Sequence, residues 1–467
     1  MRPLAILSLA FLATGCALQA RPMATPPPLE QDGEVYLYFR AFPREAGRLT
    51  FSLTGVKAVR EDGTELPLDL LTTTFKGVDA RSQMLVASSR LPPGNYRGLV
   101  FAVGKASVER GSGTTELQIP AEPARLDFAF QSVRRRAVVL TLGLDYQASV
   151  RKGSEFVPVF TTEIPSRTSW QLVGYASNTG GTNLTVFDRR TRVVTGIVPT
   201  GRDPRGMALE PRGNRLYVAV SGDDAVDVVD VAAGEVITRI NLNGNDRPRD
   251  LALTADGKLL VINSGTRSAS FVDPLLTQEL SRVAVGEDPW SLLLDRVRQR
   301  AYVLNRRSNS MTILDVGSRA VVGSVPTDPE PLWAQMNAAG TRMYLVCAGS
   351  AFLTVFSVPD MAVVRRVHIG LGASALKVDP RTDQIYVGKR DESRIYVYEP
   401  FGFLPIDEFE VPDPVSFLAI DDVDNTLLAL VPDRNQVAVI DLTSRKILSV
   451  FDVGSNPYQV TVSGARY

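Results

Sequence analysis

RLYVAVSGDDAVDVVD, residues 215–230, reads as two short apolar strands joined by a polar turn. Alternation around a Gly-Asp-Asp corner is the pattern of a β-hairpin. The same hairpin is written again as KLLVINSGTRSASFVD (258–273), RAYVLNRRSNSMTILD (300–315) and RMYLVCAGSAFLTVFS (342–357), with further variants at 172–188, 384–399 and 425–441. The residues that close the seven units, Asp188, Asp230, Asp273, Asp315, Ser357, Glu399 and Asp441, are spaced 42, 43, 42, 42, 42 and 42 apart. A period held that tightly marks a repeat array.

Prolines keep the same beat at 204, 248, 289, 331, 414 and 457, each after a polar residue and ahead of an apolar stretch; GLGASALKV occupies the remaining slot. Each unit therefore holds four strands: one after the proline, the two of the hairpin, and a fourth such as EVITRINL. A four-stranded sheet of this size cannot cover both its faces, whereas a closed ring of such sheets leaves no end face exposed. The first unit, from Trp170, lacks an innermost strand, and NPYQVTVSGARY is left over after the seventh. The spacing thus predicts seven blades, with the C-terminal strand completing the first.

DPRGMALEPRGNRLYVAVSGDDAVDVVDVAAGEV is similar to the repeat of the YVTN-type propellers, whose Tyr-Val-Thr-Asn signature is written here as YVAV, LVIN, YVLN, YLVC and YVGK. The resemblance covers roughly residues 166–467. It implies a propeller of the lactonase-like group, whose members include cell-surface proteins, sugar-lactone hydrolases and redox-enzyme subunits. A shared fold does not choose among them.

The other end of the chain bears on compartment. MRPLAILSLAFLATGCALQA has a charged start, an apolar run and small residues leading into Cys16, and it resembles a bacterial lipobox. The resemblance implies a signal peptide over 1–15, a lipid (palmitate) on Cys16, and anchoring to the outer membrane of a Gram-negative cell. A multiply acylated cysteine holds a protein firmly to one leaflet. Residues 16–33 are Pro-rich and read as an extended linker. From 34 to 165, alternating segments such as EVYLYFRAF, LTFSLTGVKAV and YRGLVFAV predict an all-β sandwich of half-buried strands. LTFSLTGVKAVREDGTELPLDL with LPPGNYRGLVFAV resembles a domain of unknown function found near the start of bacterial surface lipoproteins. Arg134–Arg136 read as a solvated turn, with an anion patch as the alternative.

Composition excludes several chemistries. The chain carries 51 basic and 51 acidic residues, so nothing draws it to nucleic acid. Its single histidine, His368, falls on the outermost strand of the fifth unit by register, which leaves no bis-histidine haem, no His-rich metal site and no Ser-His-Asp triad at the ring's centre. CxxCH is absent, and no cofactor or metal is expected. Cys347 reads as a small packing residue. The periodic carboxylates fan around the ring and read as turn caps.

Departures from the repeat point to function instead. The residues after the prolines include Arg205, Arg249, Trp290 and Tyr458, with Arg247 in a neighbouring loop, and together they form the candidate ligand site at the channel mouth. Two arginines beside two aromatic rings could hold an anionic or aromatic group. Alternatively the rings plug the channel while the arginines pair with Asp203, Asp246 and Asp288. The expected function is a non-catalytic binding platform for a protein or envelope polymer on the propeller's top face. The rival is a hydrolase acting on a sugar lactone or a related small anion.

Overall fold

The computed structural model describes residues 32–111, 113–210 and 214–463. Cys16 and the signal and linker segments before residue 32 lie outside the described residues.

The protein is all-β, and seven four-stranded antiparallel sheets form a closed propeller. The innermost strands stand side by side in a ring: Pro204–Leu209, Pro248–Leu253, Pro289–Asp295, Pro331–Met336, Ala373–Val378, Phe417–Asp421 and Pro457–Val462. The last of these pairs with Val173–Asn178, Gly174 opposite Val462 and Ser177 opposite Gln459, and so completes blade 1. Thr179 N donates to Asn456 O at 3.0 Å and Ser463 N to Val173 O at 2.9 Å, so the join is bonded at both ends.

The opening hairpin shows why its strands are apolar on both faces. Leu216 and Val218 pack toward blade 1, in one cluster with Val173 and Leu184. Tyr217 and Ala219 point the other way, packing with Leu251 and Val261 of blade 3. The tyrosine slot recurs as Tyr175, Tyr302, Tyr344 and Tyr386, all 2% exposed or less, with Leu260 and Leu428 filling the remaining two blades. Each such ring contributes about 1.5–3 kcal/mol of burial. The polar corner of the hairpin has its own task. Asp224, in the left-handed region at φ 51°, accepts from the backbone N–H groups of Asn245 and Arg247 at 2.8 Å, tying the turn to the loop that enters blade 3. Asn309 and Asn435 make the equivalent bonds to Glu330 N and Asn456 N.

Periodic carboxylates cap turns, as their spacing implies: Asp188 accepts from Arg190 N and Thr191 N, and Asp273 from Leu275 N. His368 ends the outermost strand of blade 5, exposed and edge-on to Phe352. Cys347 is buried, and burial pushes its thiol up to about 12.

The N-terminal domain is built on one ten-stranded sheet, with Val150–Arg151 and Glu155–Phe156 paired separately. Its two halves share the strand Glu65–Leu70, which pairs with Leu49–Arg60 at one end and with Met84–Leu91 at the other. They enclose a common core containing Phe39, Phe42, Phe51, Phe75, Phe101, Phe156 and Phe160. One expectation needs correction. The strand Gly33–Phe39 alternates as a half-buried strand would, yet both its faces are covered: Val35, Leu37 and Phe39 point into this core, while Tyr36 and Tyr38 pack on Phe187, Val194 and Phe451 of the propeller. Gln83 clasps Val194 by donating to its C=O and accepting from its N–H, and Leu85 N donates to Asp452 Oδ2 at 2.9 Å. The domain therefore docks on blades 1 and 7, against the blade that the C-terminal strand closes.

Candidate functional site

At the mouth of the channel the structure brings together four of the five residues singled out by sequence. The Arg249 guanidinium carbon lies 3.3 Å from the centroid of Trp290, and its Nε donates to Tyr458 Oη at 3.3 Å. Arg205 lies 5.4 Å from the Tyr458 ring centre. Arg306, from the hairpin of blade 4, is 4.6 Å from Trp290. Arg247 is not part of this group. It is exposed on the rim, where its N–H binds Asp224 and its C=O accepts from Ser264, because the turn at φ 47° directs the chain outward one residue before Pro248.

The charges here are matched. Arg205 donates twice to Asp203 Oδ2, at 3.0 and 2.9 Å; Arg249 lies 3.7 Å from Asp288; Arg306 donates to Glu330 at 3.3 Å. Asp246 was the third expected partner, but it is fully buried and paired with Arg282 at 2.6 Å. The acidic residues before the prolines thus act mainly as ion-pair partners rather than turn caps. Three buried polar atoms at the mouth have no hydrogen-bond partner among the described residues: Asp203 Oδ1, Trp290 Nε1 and Arg306 Nε.

One layer deeper lies a feature the sequence reading missed. In four blades the second residue after the proline position reaches the neighbouring blade, and in blade 6, where that place is Ala375, Ser374 just before it does so instead. Gln459 Oε1 accepts from Met207 N. Asp250 Oδ2 accepts from Leu292 N at 2.9 Å, Ser291 Oγ donates to Leu332 O at 2.6 Å, Trp333 Nε1 to Ser374 O at 3.0 Å, and Ser374 Oγ to Val415 O at 2.6 Å. Between blades 2 and 3 the slot is Gly206, where a Cβ would lie 2.6 Å from Asp250 Cα, so the strands touch directly. Ser416 Oγ, the last member, is buried with no hydrogen-bond partner among the described residues. Polar residues at a fixed place in otherwise apolar strands were the signal that could have revealed this ring. Trp333 also meets Phe417 of blade 7 edge-on at 5.1 Å.

Asp250 is the one carboxylate in the ring. Burial pushes its pKa up to about 6 against the opposing pull of the Leu292 and Leu251 amides and of Arg249. Burial also raises Tyr458, with Asp250 adding to the effect and Arg249 and Arg205 opposing it. The site therefore offers stacked cations, a buried acid and no imidazole or thiol.

Fold and site together define a seven-bladed β-propeller joined to an N-terminal β-domain, with arginine and aromatic side chains gathered at its channel mouth. The chain matches the YNCE-like beta-propeller family over residues 166–398. Over 165 residues it is 26% identical to the uncharacterized protein YncE of Salmonella typhimurium, and equally to that of Salmonella typhi. These alignments cover 34% of this chain and 46% of each relative, so the chain spans less than half the length of the curated relatives it matches. Among solved structures, hydrazine synthase of Kuenenia stuttgartiensis superposes with a TM-score of 0.53 at 18% identity, over 59% of this chain and 94% of that one. A functionally unknown protein from Desulfotomaculum acetoxidans superposes at 0.56 with 10% identity, over 63% and 99%. At these identities the likeness establishes the fold.

Proposed function

We propose that the protein is a lipid-anchored cell-envelope protein whose propeller is a non-catalytic platform, binding a protein or envelope polymer on the loop face around the channel mouth. The observation that carries this reading is the matched mouth: Arg205, Arg249 and Arg306 each face a carboxylate of their own chain. A small anion entering there would have to break these pairs, whereas the rim around them is open. Arg202 has 63% of its side chain exposed, and Arg247, Arg307 and Arg390 are exposed on the neighbouring loops. Flat, rigid faces edged with arginine suit macromolecular contact. Crosslinking in intact cells, followed by purification through the lipidated chain, tests the platform. A stable partner lost on charge reversal at Arg247 and Arg390 supports it, and a chain recovered alone under every condition overturns it.

Lactone hydrolysis is the second reading, and one observation favours it. Asp250, with its pKa pushed up to about 6, sits beside Arg249, pairing a potential general base with an electrophile. Turnover of a lactone panel that disappears in Arg249→Ala would support hydrolysis and count against the platform. Absence of turnover across the panel would remove this reading.

A further inference from the structure

Arg134–Arg136, read from sequence as a solvated turn, stand in a cleft between the two domains. The cleft has a volume of about 820 Å³ and is walled by the N-terminal domain on one side and by the loops and outer strand of blades 1 and 2 on the other. That volume lies in the range of small-molecule sites, which favour domain boundaries. Arg90, Arg134, Arg135, Arg136, Arg202 and Arg239 line it, against Asp32, Glu34, Asp223 and Glu235, so six positive charges face four negative ones.

Pairing sharpens the imbalance. Asp223 is held by both Arg202 and Arg239, at 2.7 and 3.1 Å, Arg239 is bonded twice more to the buried Asp227, at 2.7 and 2.9 Å, and Glu235 is held by Arg136 at 2.7 Å across the domain boundary. Among the described residues Arg134 and Arg135 enter no ion pair, and both are exposed. Their backbone is fixed: Arg135 N donates to Asp32 O at 3.1 Å, Arg136 N to Val133 O at 3.1 Å, and Glu34 N to Arg136 O at 2.9 Å. Beside them lie exposed apolar surfaces, Val133 at 38% and Ile237 at 48%. Two adjacent guanidinium forks on a fixed turn suit the oxygens of a phosphate monoester dianion.

We infer that this interdomain cleft binds a phosphate ester whose carbon body rests on Val133 and Ile237, with Arg134 and Arg135 as the phosphate ligands. The source of the phosphate monoester is either a soluble phosphorylated sugar or the headgroup of phosphatidic acid. The inference stands apart from whatever the rim of the channel binds.

The test is calorimetric titration of the full chain with glucose 1-phosphate, and flotation with phosphatidylcholine vesicles carrying phosphatidic acid against phosphatidylcholine vesicles alone. Saturable binding is expected in one arm, and which arm responds identifies the source. Reversal of both charges, Arg134→Glu with Arg135→Glu, should weaken that binding by at least about 30-fold, as expected from the loss of two charge-assisted hydrogen bonds. The neutral pair Arg134→Gln with Arg135→Gln should fall between, which guards against a folding defect in the reversal. Arg365→Glu, on the exposed outer strand of blade 5, should change binding less than twofold by the same reasoning for a remote surface charge. The inference is overturned by no saturable binding in either arm, by reversal variants that bind like the parent, or by an equal loss in Arg365→Glu.

Discussion

The channel mouth and the interdomain cleft are both rich in arginine, yet they are built to opposite ends. At the mouth three guanidiniums face Asp203, Asp288 and Glu330, and two of them lie close to the ring of Trp290. In the cleft Arg202, Arg239 and Arg136 are taken up by Asp223, Asp227 and Glu235, and the two arginines on the turn enter no ion pair among the described residues. Arginine count alone therefore says little. What separates a stopper from a receptor is whether the chain has already supplied the counter-charge and the stacking partner. In the platform reading the mouth contributes rigidity to the loop face, and it is the cleft that keeps charge to spare.

If the mouth is a structural stopper, damaging it should cost stability. Trp290→Ala removes the ring against which Arg249 and Arg306 pack, and should destabilise the chain by about 3 kcal/mol, the low end for deleting an indole, because this one is half-buried. Urea unfolding measures this directly, and a loss below about 1 kcal/mol would mean that the ring is held for a ligand and not for the fold.

Asp250 allows a second break. Its native pKa of about 6 lies above the usual carboxylate value, so between pH 4 and 6 the folded chain holds a proton that the unfolded chain releases. Stability from this group is present at about pH 4 and declines as the pH rises through 6, by at most about 2–3 kcal/mol for a shift of this size. Comparing unfolding curves of the parent and Asp250→Asn across that window isolates the effect. The difference between them should change steadily from pH 4 to 6 and level off above. A flat difference would place Asp250 in a wetter and less constrained setting than the inter-blade ring gives it.

These groups differ in how far they could be read from the chain. Blade number, and closure by Pro457–Val462, were legible because the period is nearly invariant and the strand surplus at one end equals the deficit at the other. The convergence of Arg205, Arg249, Trp290 and Tyr458 was legible because each follows the same proline landmark. The inter-blade ring was not, since Gly206, Asp250, Ser291, Trp333 and Gln459 do one job with different chemistries and no residue type repeats enough to be seen. Docking of the N-terminal domain was hidden for another reason. Tyr36 and Tyr38 are amphipathic enough to suit an exposed face, and only the facing propeller surface shows them to be interfacial. Arg134–Arg136 looked like any solvated turn until the fold placed blade 2 opposite.

Substituting within the cation class sharpens the contrast at smaller cost. Arg249→Lys keeps the charge near Asp288 but loses the planar group over Trp290 and the hydrogen bond to Tyr458, so about 1–2 kcal/mol of stability should go with the geometry alone. Thermal unfolding at low and high salt separates the contributions, because stacking survives screening better than an ion pair does.

The smallest effect belongs to the cleft, and its smallness is the point. Arg134→Ala with Arg135→Ala removes two exposed side chains that enter no ion pair among the described residues, while the main-chain bonds holding the turn remain. Unliganded stability should therefore stay within about 0.5 kcal/mol of the parent, as for surface positions without partners. The result to compare is the same measurement at saturating phosphate ester. Ligand that binds only the folded chain raises the parent's stability in proportion to the logarithm of its concentration over its dissociation constant, and the double variant should lose most of that increment. A variant that is already weakened without ligand would mean that these arginines brace the domain boundary, as Arg136 does through Glu235. The cleft would then belong with the mouth, as structure built from charge.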